Sequence, residues 1–249
     1  MAVINHGRKQ VRFKIVYCGT PFGGKTSNLL YVHRRLGSEQ RGDMISVATA
    51  SNRTLFFDYL PVKSVQIGGY ETRFQLYTVP GQRIYDQTRE IVLRGADGLV
   101  FVADSTPERS EENLEALSVT AEVLNRLGQS MSSVPLVFQH NKRDLPRAMP
   151  LSAMERLLNR RGLPSFPAVA TTGYQVFATL EAVTQAVLRR FYQPQMRGDA
   201  GAETTAEAAL PRPAAKAVEA KPISTAGGGT ATAAVHSRFA GSPNRKITV

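Results

Sequence analysis

Residues 13–35 read FKIVYCGTPFGGKTSNLLYVHRR. Phe13–Tyr17 is an apolar, β-rich run, and Thr26–Arg35 follows with Leu29, Leu30 and Val32 at helical spacing. The residues between them, GTPFGGKT (19–26), fit G-x-x-x-x-G-K-[ST] in the strand–loop–helix setting that this pattern requires. A helix start that follows a glycine-rich turn points several backbone N–H groups at one spot, which suits a polyphosphate. Gly23, Gly24, Lys25 and Thr26 are placed to offer those N–H groups, with Ser27 in the same first turn. Gly19 and Gly24 permit a tight path, Lys25 can neutralise β- and γ-phosphate charge, and the Thr26 hydroxyl can reach Mg²⁺. Pro21 stands inside the loop and removes one possible N–H donor.

Outward from this stretch, strand-like and helix-like segments alternate. Strands are expected at Leu55–Leu60, Val65–Ile67, Thr72–Val79, Leu99–Ala103, Pro135–Gln139 and Phe166–Ala170, with a hairpin turn at Gly68-Gly69. LVFVA (99–103) is apolar throughout, as in a central parallel strand covered on both faces. Helices are expected at Glu111–Leu127, with Leu114, Leu117, Val123, Leu124 and Leu127 near one face, and at Ser152–Arg161 and Val176–Tyr192. The order implies a doubly wound α/β domain, a mixed and mostly parallel sheet flanked by helices, with ligands at the carboxyl ends of the strands.

Directly after the Pro135–Gln139 strand stands NKRD (141–144). Asp144 would accept two hydrogen bonds from N1 and N2 of guanine; adenine lacks those donors and would leave the carboxylate unpaired. Lys142 could lay its stem along the base and Asn141 could brace the loop. After the last strand, Ala170 of ATTG (170–173) is placed to back the base with its N–H. Together these point to GTP and GDP rather than adenine nucleotides.

With RTLFFD (53–58), RFQLYTVPGQ (73–82), FVADS (101–105), NKRDLP (141–146) and GYQVFATLEAV (173–183), the chain resembles the MglA group of bacterial Ras-like small GTPases over residues 3–195. The most specific mark is TVPGQ, where Thr78 stands in place of the aspartate of most small GTPases. The resemblance implies a P-loop GTPase (Ras-like) fold and a GTP-hydrolysing switch in cell polarity and gliding motility. It also implies Mg²⁺ as cofactor, a Roadblock-fold activating protein of the MglB type, and effectors that bind the GTP state. By the same resemblance Arg53 is an arginine finger supplied in cis, Gln82 orients the attacking water, Thr54 is a second Mg²⁺ ligand beside Thr26, and the Gly81 N–H senses the γ-phosphate. Slow intrinsic hydrolysis follows if Arg53 and Gln82 need a partner to align them. Pro21, where relatives carry glycine, motivates a rival reading as a GTP-locked interaction module with little hydrolysis. A third reading, a metabolic P-loop kinase, leaves NKRD without a role.

Composition bounds the rest. The chain has 249 residues and a net charge of +11; residues 1–195 hold 24 basic and 16 acidic side chains, and residues 196–249 hold 7 and 4. The charges are scattered, which suits a solubilising surface or phosphate ligands and gives no nucleic-acid footprint. The stretch 196–249, rich in Ala, Thr, Gly and Pro with Phe239 as its one aromatic residue, is expected to be a disordered tail beyond a domain of residues 1–195. Cys18 is the single cysteine, so a disulfide framework and a thiolate zinc site are excluded. The four histidines show no ligand spacing, and no apolar run approaches the ~18 residues that span a bilayer. With no signal-peptide pattern, Ala2 in place of a myristoylated glycine and no prenylation motif, the expectation is a cytoplasmic protein recruited to a cell pole by partners.

Overall fold

Alternation along Gln10–Gly19 decides the layering. Val11, Phe13, Ile15 and Tyr17 share one face of this strand, and Arg12, Lys14, Val16 and Cys18 the other. A computed structural model describes residues 2–47, 57–67, 69–80 and 86–198. Its strands are β1 (Val3–Asn5), β2 (Gln10–Gly19), β3 (Ile45–Val47), β4 (Phe57–Ile67), β5 (Tyr70–Thr78), β6 (Gly98–Asp104), β7 (Leu136–Asn141) and β8 (Ser165–Pro167). Its helices are α1 (Lys25–Arg35), α2 (Asp86–Leu93), α3 (Ser110–Arg126), α4 (Leu151–Leu158) and α5 (Val176–Gly198).

The strand order is β3-β4-β5-β2-β6-β7-β8, with β1 paired to β2. The β5-β2-β6-β7-β8 run is parallel, while β3-β4, β4-β5 and β1-β2 are antiparallel. Two apolar layers result. Phe13, Ile15 and Tyr17 pack with Leu29 and Val32 of α1 and Val183 and Val187 of α5. Val16, Cys18, Leu99 and Phe101 pack with Val92 of α2, Val123 and Leu124 of α3, and Met154 of α4. Burying each of these large side chains contributes about 1.5–3 kcal/mol.

The two strand segments expected at Leu55–Leu60 and Val65–Ile67 are one strand, β4, which runs through Pro61. Gly42 N–H donates to the Pro61 carbonyl at 3.0 Å, so the proline costs the β4–β5 ladder little at that position. The strand expected at Phe166–Ala170 is the shorter β8, after which the chain leaves the sheet. Helix α2 and the edge strands β1 and β3 are additions that the apolar pattern does not announce. The inner face of α3 carries Leu117, Val123, Leu124 and Leu127 as expected, but not Leu114, which is 41% exposed while Asn113 and Thr120 turn inward. The reason is polar. Asn113 Oδ1 accepts the Asp104 N–H at 3.0 Å and its Nδ2 donates to the Asp104 carbonyl at 2.8 Å, which sets the phase of the helix. Helix α5 reaches Gly198, past the expected boundary at 195; the tail beyond it lies outside the described residues.

Cys18 is fully buried, its Sγ 3.6 Å from the Val100 carbonyl, and burial pushes the thiol up to about 12. A disulfide reagent at about pH 8 should therefore leave Cys18 unlabelled in the native protein and label it fully in denaturant. Rapid native labelling would contradict the layering.

Candidate functional site

The loops after β2, β6, β7 and β8 meet at the carboxyl edge of the sheet, and the first of them is the glycine-rich turn. Gly19 has φ +126°, and a Cβ there would stand 2.1 Å from the Val102 carbonyl oxygen of the neighbouring strand. Gly24, the residue before α1, has φ +101°, and its Cβ would stand 2.1 Å from Asn141 Nδ2. Neither position admits a side chain. Phe22 also has positive φ, +58°, and is 75% exposed. Lys25 is buried, its Nζ donating to the Thr20 carbonyl at 2.5 Å and the Gly19 carbonyl at 3.1 Å, so it spans its own loop. No side chain caps α1 and its first turn has no acidic residue. Its positive end is thus kept for an anion. The buried Thr20 hydroxyl makes no hydrogen bond among the described residues, and Thr26 is exposed at the helix start with half-buried Ser27 beside it. A glycine cradle that a Cβ would fill, over a helix start with no acid, fits a phosphate chain.

Asn141 joins three loops. Its Nδ2 donates to the Gly23 carbonyl at 2.7 Å, and its Oδ1 accepts the Ala170 N–H at 2.9 Å. Lys142, in the left-handed region at φ +64°, places Nζ 2.5 Å from Oδ2 of the buried Asp104. Oδ1 of the same carboxylate accepts the Thr106 N–H and hydroxyl at 3.0 and 2.9 Å. The ammonium of Lys142 is thereby engaged, and its aliphatic stem remains to meet a flat ligand. Asp144 is exposed and makes no hydrogen bond or ion pair among the described residues. Thr78, the last residue of β5, is buried beside Tyr17. A hollow of about 350 Å³ opens beside the loop, lined in part by Pro21, Phe22, Pro80, Arg89 and Thr120. Arg53, Thr54, Gly81 and Gln82 lie outside the described residues.

Beneath the loop is a buried polar network that the sequence reading did not pick out. Asn28 of α1 donates through Nδ2 to the Gly24 carbonyl at 2.9 Å and to Gln139 Oε1 at 2.7 Å. Gln139 of β7 returns a bond from Nε2 to Asn28 Oδ1 at 3.0 Å and another to the Thr179 hydroxyl of α5 at 3.1 Å. The one signal was a glutamine inside the otherwise apolar LVFQ (136–139). Next to it, His140 is buried with Nε2 2.7 Å from Glu155 Oε1. Burial lowers the imidazole's pKa, against the pull of the Glu155 hydrogen bond and charge.

Two outcomes follow. Gln139→Leu orphans Asn28 Oδ1 and should cost about 1–3 kcal/mol in urea unfolding, and Asn28→Leu/Gln139→Leu should recover part of that loss; an additive double variant would contradict the network. Because His140 binds its proton less readily folded than unfolded, its contribution is whole above the ordinary histidine pKa of about 6.5 and is lost as pH falls below it. The midpoint of thermal unfolding should fall through that range, and His140→Gln should flatten that part of the profile.

The comparisons agree with this geometry. The family model described as "Ras family" matches residues 46–189. The chain is 47% identical over 188 residues to the mutual gliding-motility protein MglA of Myxococcus xanthus (strain DK1622), a match covering 76% of this chain and 96% of that one. Proteins of this family bind GTP and GDP, typically with Mg²⁺. The glycine cradle, the loops held by Asn141 and the mixed sheet are those of a small GTPase: the chain belongs to the Ras family, as a Ras-like GTPase of the MglA type.

Proposed function

We propose that this chain is a GTP-hydrolysing switch that acts, like the relative it matches, in cell polarity and motility. The observation that carries the reading is the Asn141 side chain, which ties the phosphate loop at Gly23 to the base-side loop at Ala170. A ligand with a phosphate chain at one end and a planar base at the other would use both loops. In this reading Gly19, Gly23, Gly24, Lys25, Thr26 and Ser27 hold the phosphates, and Asn141, Lys142, Asp144 and Ala170 hold the guanine. The exposed Asp144 carboxylate is free to accept from the base, and the Lys142 stem, its ammonium committed to Asp104, lies along it. Mg²⁺, held by the Thr26 and Thr54 hydroxyls, would supply the positive charge that offsets the β- and γ-phosphates.

For hydrolysis, Gln82 orients the water and Arg53 places its guanidinium on the charge developing at the γ-phosphate. In this reading Thr54 and the Gly81 N–H engage the γ-phosphate, and turnover is slow until a partner aligns Arg53 and Gln82. A Roadblock-fold protein of the MglB type is the expected activator, effectors take the GTP form, and partners bring the chain to a cell pole. No helix among the described residues is long and apolar enough to cross a membrane.

Pro21, which lines the hollow beside the loop, favours one rival: a GTP-locked module whose ring crowds the water or Gln82. Single-turnover GTP hydrolysis with and without a Roadblock-type activator separates the two. The switch reading expects stimulation by the activator, with Arg53→Ala and Gln82→Ala each losing about 10³-fold of the stimulated rate while GDP binding is retained. Unstimulated, negligible turnover with tight GTP binding would establish the rival. Failure to bind either guanine nucleotide in the presence of Mg²⁺ would remove both.

A further inference from the structure

Far from the carboxyl edge, the opposite end of β2 carries charges that the nucleotide reading does not use. Along one face of the strand, Val16 and Cys18 are buried beneath α3, but Arg12 and Lys14 are only half-buried. The sheet register sets Arg12 beside Arg73 of β5. Like charges on adjacent strands repel and cost stability. A shallow depression of about 160 Å³ is lined here by Arg8, Arg12 and Arg73, with Tyr59, Pro61 and Gln75. The anionic group bonded within this cluster is Glu71, which bonds to Arg73 Nε at 3.0 Å and also accepts from Gln10 at 2.9 Å. The guanidinium groups of Arg8 and Arg12 make no hydrogen bond or ion pair among the described residues.

We infer that this basic sheet face, Arg8–Arg12–Arg73, is a docking surface for an acidic helical segment of a partner protein. Charge decides the sign of the occupant. A second copy brought face to face would set arginines against arginines, and residues 196–249 hold 7 bases against 4 acids, so neither complements the patch. Geometry decides the form. Neighbouring strands stand about 4.8 Å apart, and carboxylates at i and i+4 of a helix repeat at about 5–6 Å, so a helix laid across the strands sets two carboxylates over Arg12 and Arg73. Base stacking from a single nucleic-acid strand would need free aromatic faces, which leaves such a strand the phosphate contacts alone. Tyr59 and Tyr77 pack on each other with centroids 4.9 Å apart, and Lys14 Nζ sits 4.8 Å from the Tyr77 centroid. Tyr59 presents its hydroxyl, which accepts from Gln75 at 3.2 Å.

The test uses the full chain and a fluorescein-labelled alanine-based helical peptide with glutamates at i, i+4 and i+8, read by anisotropy at low salt. Controls are a peptide of the same composition that breaks the spacing, and a single-stranded RNA of equal charge. Wild type should bind the spaced peptide most tightly. Arg12→Gln/Arg73→Gln should weaken it by about tenfold or more, and Arg160→Gln on the far side of the chain should not. Arg8→Gln, in the exposed turn before β2, removes a contact without touching the sheet and should weaken binding by about threefold. Equal binding of both peptides, undiminished binding by the Arg8 and Arg12/Arg73 variants, or tighter binding of the RNA would each overturn the inference. Because the readout needs no nucleotide turnover, its failure is distinct from failure of the switch reading.

Discussion

The arrangement of the site rests on one side-chain amide. Asn141 is buried at the end of β7 and spends its donor on the Gly23 carbonyl and its acceptor on the Ala170 N–H. Backbone groups inside a protein must find partners, and irregular loops are where partners are scarce. Here one planar group satisfies two loops and fixes the distance between them. The same contact explains Gly24: the amide lies where any Cβ at that position would be, so the glycine is required by close approach as well as by its positive φ. Below, Asn28 and Gln139 tie the first turn of α1 to the strand that carries Asn141. The phosphate side and the base side of the edge are thereby tied together.

What could be read from the amino-acid order follows from how locally each feature is encoded. The glycine-rich turn between an apolar run and a helical run is a local pattern, and the structure places it after β2 and before α1 as read. LVFVA, apolar at every position, is a strand buried on both faces. Features set by tertiary contact were not legible. Leu114 looks inward by periodicity, yet Asn113 sets the phase of α3 because it must satisfy the backbone of Asp104. Gln139 looks like an ordinary polar residue until Asn28, 111 positions away, is seen to meet it. Asp104 in FVADS gave no hint of clamping Lys142, since the pair forms only across two adjacent strand ends. The strands β1 and β3 span three residues each and are too short for a periodic signal.

The phosphate loop itself contains a local conflict that its surroundings resolve. A non-glycine residue in the left-handed region costs roughly 1–2 kcal/mol, and Phe22 adopts it at φ +58° with its ring in solvent. Nothing that the ring buries repays that cost. The loop keeps this shape because Lys25 binds the carbonyls of Gly19 and Thr20 from within, Asn141 holds the carbonyl of Gly23 from outside, and Pro21 fixes φ at the residue between. Strain that neighbours over-determine is a mark of preorganisation. These contacts, and not the packing of the Phe22 ring, hold the loop in its shape.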